Sequence, residues 1–172
     1  MGIIRKPHKV KLFIGMLSKD MEHMRRASTR LKRVFGRIDF ESDLLDFEHT
    51  DYYAAEMGHG LKRKFISFER LMNLDGIYMI KIATNRIEKA LSRDGKRAVN
   101  IDPGYLDMSK VVLFSTKDYS HRIYLGKGIF AEVTLYYKDG TFNAWPWTYP
   151  DYKTTAYISI FNSVRELYKS GI

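Results

Sequence analysis

With 172 residues, 45% of them apolar, the chain is long enough to bury a core and short enough to form one domain, and it carries a net charge of +9. It has no cysteine, which excludes disulfides, thiolate metal sites, iron–sulfur clusters and a cysteine nucleophile. No apolar run approaches the roughly 18–20 residues of a membrane span, and the start, Met1-Gly-Ile-Ile-Arg-Lys-Pro-His8, lacks the apolar region of a signal peptide, so a cytoplasmic protein is expected.

Residues 9–17 alternate, with Val10, Leu12, Ile14 and Met16 on one side and Lys11, Phe13 and Gly15 on the other, which predicts a strand with one core face. Ser18 is placed to cap a helix in which Met21, Met24, Ala27, Leu31, Val34 and Phe35 recur at helical spacing until Gly36 stops it. This helix also holds Arg25, Arg26, Arg30, Lys32 and Arg33; residues 1–36 contain ten Lys/Arg against two acids, whereas residues 37–58 contain one against seven. A basic face of this kind fits nucleic acid or a phosphorylated ligand, or else a solvated helix shielded by its acidic neighbour. Strands are expected at 38–47 and 61–69, a helix at about 75–92 with Ile77, Ile80, Ala83 or Thr84, Ile87 and Leu91 inward, and a strand at 97–101 closed by Asp102-Pro103-Gly104.

Strand, helix, strand, strand, helix, strand is the order of an α+β, ferredoxin-like βαββαβ core, expected over residues 9–104. Residues 105–172 are expected to add a short helix near Met108–Phe114, a β-hairpin from Arg122 to Tyr137 turning at Gly126-Lys-Gly128, a turn at Asp139-Gly140, and a last helix over Thr155–Tyr168 with Ile158, Phe161, Val164 and Leu167 or Tyr168 inward. This extension would lengthen the sheet or cover its open face, within a single domain.

Polar groups that bind or transfer protons crowd the segment from Asn100 to Glu132. His121 follows the Lys117-Asp118 loop and precedes a strand, where a neutral imidazole can exchange a proton near pH 7 or simply be hydrogen-bonded. Arg122 offers a planar fork for phosphate or carboxylate, or an ion pair with Asp102 or Glu132. Glu132 shares a strand with Ile129, Ala131, Val133 and Leu135, all expected in the core, and lies on the opposite side with Phe130, Thr134 and Tyr136. Asp102 is either a functional acid or a turn former. The loop with Asp51, Tyr52, Tyr53 and Glu56 is the other candidate group; it is long enough to reach the His121 segment, and one cleft lined by Tyr52 or Tyr53, Glu56, Asp102, Lys117, His121, Arg122 and Glu132 is expected. Asp102, Glu132 and His121 could also coordinate a divalent ion if they converged. The residues leave any cofactor unknown.

Leu12-Phe-Ile-Gly-Met-Leu17 is similar to the first-strand motif of RNA-recognition modules, with Phe13 as the base-stacking aromatic. Arg63-Lys-Phe-Ile-Ser-Phe-Glu-Arg70 breaks the match, because Phe65 and Phe68 face opposite ways and a glycine is missing, so Phe13 is expected under the extension. The whole chain, from Val10-Lys-Leu-Phe-Ile-Gly-Met-Leu17 through Thr50-Asp-Tyr-Tyr53, Gly60-Leu-Lys-Arg-Lys-Phe-Ile-Ser-Phe-Glu69, Val99-Asn-Ile-Asp-Pro-Gly-Tyr105, Ser115-Thr-Lys-Asp-Tyr-Ser-His-Arg122 and Trp147-Thr-Tyr-Pro-Asp-Tyr152, resembles the bacterial family filed as domain of unknown function 4416. That resemblance implies a small stand-alone protein and brings no established activity. The GTP-binding label that some members carry finds no motif in this sequence: a P-loop is absent, Gly126-Lys-Gly128 reads as a hairpin turn, and Thr116-Lys-Asp118 is too short to read guanine.

The expected function is binding of a phosphate-bearing ligand, nucleotide or RNA, through Lys117, Arg122 and the basic residues at 62–64, with Tyr52, Tyr53, Glu56 and Asp118 contributing. Two alternatives stand beside it. One is a small acid–base or phosphoryl-chemistry enzyme using His121 with Glu132 or Asp102; the other is a structural or assembly protein presenting Trp145 and Trp147.

Overall fold

The structure, a computed structural model, describes residues 2–48 and 53–171. In chain order it contains β1 (Lys11–Ser18), α1 (Met21–Phe35), β2 (Ile38–Glu41), β3 (Leu45–Asp46), α2 (Ala54–Met57), β4 (Lys62–Phe68), α3 (Met79–Leu91), β5 (Asn100–Leu106), β6 (Lys110–Ser115), β7 (Ile123–Gly126), β8 (Ile129–Lys138), β9 (Thr141–Ala144) and α4 (Thr155–Ser170). The fold is α+β. Among the described residues nine strands form one antiparallel sheet in the order β2-β4-β1-β5-β6-β8-β7, with β3 on β4 and β9 on β8.

Both faces of the sheet are covered. On the first, α1 and α3 pack Met24, Ala27, Leu31, Ile80 and Ile87 against Leu12, Ile14, Met16 and Ile101. On the second, α4 lays Tyr157, Phe161 and Val164 over Phe13, Phe65, Leu113 and Leu135. The Phe161 ring meets those of Phe13 and Phe65 edge-on at 4.9 and 5.3 Å. The one-faced strand expected at 9–17 is therefore a central strand buried on both sides, because α4 supplies the apolar cover that an open sheet face lacks. Phe13 lies under the extension, as the sequence predicts.

Ser18 does not cap α1. Its hydroxyl donates to the Ala98 carbonyl, and Asp20 takes the N-cap position by accepting from Glu22 N. The short helix expected near Met108–Phe114 is strand β6. Val111-Val-Leu-Phe114 is buried on both faces, and a uniform apolar run lacks the period that would separate strand from helix. Against β8 the register slips between Val111 and Val112 of β6, so Thr134 of β8 has no counterpart. This bulge turns Leu135 to the second face, whereas Ile129, Ala131 and Val133 pack on the first.

Asp102-Pro103-Gly104 is not a turn but the middle of β5. Pro103 has no N–H for a neighbouring strand, and the pairing of β5 with β6 begins only at Gly104 opposite Leu113. Gly104 gives the Phe13 ring its place, since a Cβ there would stand 2.5 Å from Phe13 Cζ. Before that point the two strands part. On the open edge the Ile101 N–H donates to Glu88 Oε1, and the Ile101 carbonyl accepts from Lys81 Nζ at 3.0 Å. Two side chains of α3, one turn-pair apart, thus replace the missing ladder bonds.

Candidate functional site

The parting of β5 and β6 opens a cavity of about 490 Å³. Asn100 and Asp102 of β5, Leu113–Ser115 of β6, Thr116 and Lys117 border it, together with Arg63, Lys81, Arg97, Glu132, Phe47, Tyr53 and the segment 149–152. It lies where α4 begins and the second face changes from apolar to charged.

Arg63 is the anchor of the charged part. Its Nη1 donates to Asp102 Oδ2 at 3.0 Å, and Nη2 lies 3.6 Å from Asp151 Oδ2. Gly15 permits this crossing, because a Cβ would meet Arg63 Nη1 at 3.1 Å and Phe65 Cε1 at 3.0 Å. Burial works against the Arg63 charge, but Asp102, Asp151 and the neighbouring phenols outweigh it and hold the guanidinium protonated. Burial likewise pushes Asp102 up, yet Lys81, Arg63 and Asn100 together leave it below the ordinary carboxylate range. Asn100 Nδ2 donates to Asp102 at 2.7 Å, while its Oδ1 accepts from Arg97 Nη1 at 2.6 Å.

Arg97 is gripped in turn by Glu56 of α2. Its Nε lies 2.9 Å from each carboxylate oxygen, and hydrogen bonds from Arg97 hold Glu56 ionised below its ordinary range. Arg97 therefore presents a planar fork to an oxyanion, here a carboxylate of the chain itself.

At the other wall Glu132 is 3% exposed. It accepts from Arg122 Nε at 2.8 Å and lies 3.0 Å from His121 Nε2, and the Thr134 hydroxyl donates to it at 3.3 Å. Arg122 also donates to Ser115 Oγ, to the Lys117 carbonyl and to the Tyr149 hydroxyl, so it ties the loop after β6 to the segment before α4. The His121 ring stacks on Trp147 at 5.6 Å, and Trp147 stacks on Trp145 at 5.1 Å. Trp147 thus stacks against two rings of the chain itself, although the residue is 40% exposed.

Of the residues singled out in the sequence, Tyr53, Arg63, Asp102, Lys117 and Glu132 border one cavity, whereas Lys62 and Lys64 pair with Asp46 and Glu41. His121 and Arg122 stand behind Glu132, and Glu56 behind Arg97. Asp118 is exposed and does not border the cavity, and Tyr52 lies outside the described residues. Among the described residues no three His, Asp or Glu side chains converge as a metal-ligand set, and Asp102 stands apart from the His121–Glu132 pair. Arg97, Asn100, Lys81, Tyr149 and Asp151 escaped the sequence reading. Lys81 and Glu88 carry the one available signal, a charged pair at helical spacing beside the apolar stripe of α3.

Comparison with known proteins adds a family and little more. The model of a domain of unknown function (DUF4416) matches residues 8–168. The chain belongs to that family. A stretch of 65 residues is 34% identical to the phosphoribosylformylglycinamidine synthase subunit PurL of Methanothrix thermoacetophila, covering 38% of this chain and 8% of that protein. So small a share of the archaeal protein supports no inference about this member of the family. No solved structure matches the chain. Among the described residues no helix is long and apolar enough to cross a membrane.

Glu88, beneath the cavity, gives the family member a measurable pH response. Burial pushes its carboxyl up from an ordinary value of 4.5 to about 7, against the opposing pull of Lys81. Between those values the folded protein keeps a proton that the unfolded chain has released. This contribution to stability is therefore complete below pH 4.5 and is lost as pH rises through about 7. Glu88→Gln, which keeps an acceptor for the Ile101 N–H, is expected to flatten the decline in Tm between pH 5 and 8. A variant that loses Tm as steeply as the parent over that range would show that Glu88 is not the titrating group.

Proposed function

We propose that the protein binds a small phosphate-bearing ligand of about mononucleotide size in the cavity between β5 and β6. The observation that carries this is the cavity itself: among the described residues, four cationic side chains border it against three carboxylates, and Glu132, one of the three, is already neutralised by Arg122 from behind. Its volume falls in the usual range of ligand pockets, and Phe47, Tyr53 and Tyr149 provide aromatic walls for a planar group. Arg97, whose fork already holds a carboxylate, and Lys117 are the groups assigned to the anion.

The other readings have less support. A general base must be able to take up a proton, but Asp102 is held ionised and Glu132 is engaged by both Arg122 and His121. RNA recognition on the second sheet face would need Phe13 and Phe65, each 1% exposed beneath α4. An assembly role through Trp145 and Trp147 is countered by their mutual stacking and by the cavity beside them. We also read residues 9–104 as a ferredoxin-like core within one domain, supported by the order β2-β4-β1-β5 and by both helices lying on one face, with residues 105–172 continuing the same sheet.

A thermal-shift panel of nucleoside mono-, di- and triphosphates, sugar phosphates and pyrophosphate tests the reading. A ligand present at about 100 times its Kd should stabilise by about 2.7 kcal/mol, a shift of several degrees. Lys117→Ala, an exposed position, should weaken binding without lowering Tm in the absence of ligand. If millimolar concentrations of every compound leave Tm unchanged, the proposal fails.

A further inference from the structure

We propose that the outer surface of α1 and α3 is a second binding face, separate from the cavity, which docks the phosphate backbone of a nucleic acid. The two helices lie together on the first sheet face and bury their apolar stripes there. What they turn outward is largely basic, with Met21, Val34 and Met79 scattered at its margins. In α1, Arg26, Arg30 and Arg33 recur at i, i+4 and i+7, a single stripe about 10 Å long at 1.5 Å rise per residue; Arg26 and Arg33 are exposed and Arg30 is half-buried, and Lys32 is exposed beside them. In α3, Arg86 and Lys89 are exposed one turn apart.

The acids that could neutralise this surface are already committed. Glu22, the one acid of α1, is held by Arg25 through two hydrogen bonds of 2.8 Å, and Glu88, the one acid of α3, is buried toward β5. Of the acidic stretch that the sequence sets after α1, Asp39 pairs with Lys11, Glu41 with Lys64, Asp46 with Lys62 and Glu56 with Arg97, away from the helix. Arg26, Arg30, Lys32, Arg33, Arg86 and Lys89 form no ion pair among the described residues, in a layer whose pairs include Arg25–Glu22 and Arg37–Glu69.

Two features favour a polyphosphate chain over a lipid surface. A helix that lies in a membrane keeps an apolar face for the bilayer, but Met24, Ala27, Leu31 and Phe35 of α1 are already spent on the core. The stripe is also built mainly of arginine, whose planar fork suits phosphate oxygens. A row of cations is suited first to phosphate contacts, so the expected binding is insensitive to sequence and steeply dependent on salt.

Fluorescence anisotropy with labelled 20-base-pair RNA and DNA duplexes, each in two unrelated sequences, tests this directly. Binding of either duplex is expected at 50 mM salt, similar for both sequences, and weaker on the order of 100-fold at 200 mM if about four phosphates are neutralised. Arg26→Glu/Arg30→Glu/Arg33→Glu should reduce affinity at least tenfold with an unchanged circular dichroism spectrum. Arg86→Glu/Lys89→Glu, on the other helix, should act in the same direction and serves if the triple variant does not fold. Lys117→Ala should leave duplex binding intact, which separates this face from the cavity. The proposal is overturned by no binding at 50 mM salt, by equal affinity of the parent and a folded charge-reversed variant, or by binding to vesicles of anionic phospholipid with none to either duplex.

Discussion

Arg63→Met is expected to lower stability by about 3–5 kcal/mol, the usual cost of removing one partner from a buried ion pair, and Tm by roughly 10 °C. The guanidinium is buried and compensates both Asp102 and Asp151, so its loss leaves two carboxylates in a region where burial already opposes their charge. The damage should be repaired in part by a second change: Arg63→Met/Asp102→Asn removes one of the two charges that Arg63 balanced, which leaves Lys81 to balance less, and should recover a measurable share of the loss. Urea unfolding of the parent, the single variants and the double variant gives the coupling energy. A single-variant loss below about 1 kcal/mol would mean that the pair is screened like a surface bridge, and Arg63 would then not be the anchor of the cavity.

Phe161→Ala is expected to cost about 3–5 kcal/mol. This ring is fully buried and touches the rings of Phe13, Phe65 and Tyr152, so it is the point at which α4 is fastened to the second sheet face. Tyr152 borders the cavity, so loosening α4 should also weaken ligand binding at the far wall while leaving the duplex affinity of the α1 and α3 face unchanged. Denaturant titration combined with hydrogen exchange resolves the two effects. The expected pattern is early exchange in α4 and β9 with protection retained in β1 and β4. A uniform loss of protection would show instead that α4 is integral to the core that α1 and α3 stabilise.

Much of the architecture was legible because it rests on local periodicity. The alternation of Leu12, Ile14 and Met16, the helical spacing of Met24, Ala27, Leu31 and Phe35, and the turns at Lys127-Gly128 and Asp139-Gly140, all with positive φ, each point to the observed element. The errors fall where tertiary context decides. Val111–Phe114 has no period because it is buried on both sides, and Asp102-Pro103-Gly104 is a turn sequence in isolation but here ends a ladder rather than reversing the chain. At the site, Asp102, Lys117 and Glu132 were visible as polar groups set at the ends of, or within, apolar strands. Arg63 could be named only together with its neighbours, because Lys62, Arg63 and Lys64 are indistinguishable until the sheet assigns Arg63 alone to a buried face. Arg97 and Tyr149 depend on partners 41 and 27 residues away, a separation that no local pattern encodes.

The central claim, a ligand site between β5 and β6, is tested most directly by titrating the ¹⁵N-labelled protein with nucleotides and pyrophosphate and following its amide resonances. Saturable shifts are expected at Arg97, Asn100, Asp102 and Ser115–Lys117, around the cavity, and at Tyr149–Tyr152 except for Pro150, which has no amide proton. Shifts confined to α1 and α3, or linear shifts that do not saturate, would contradict it.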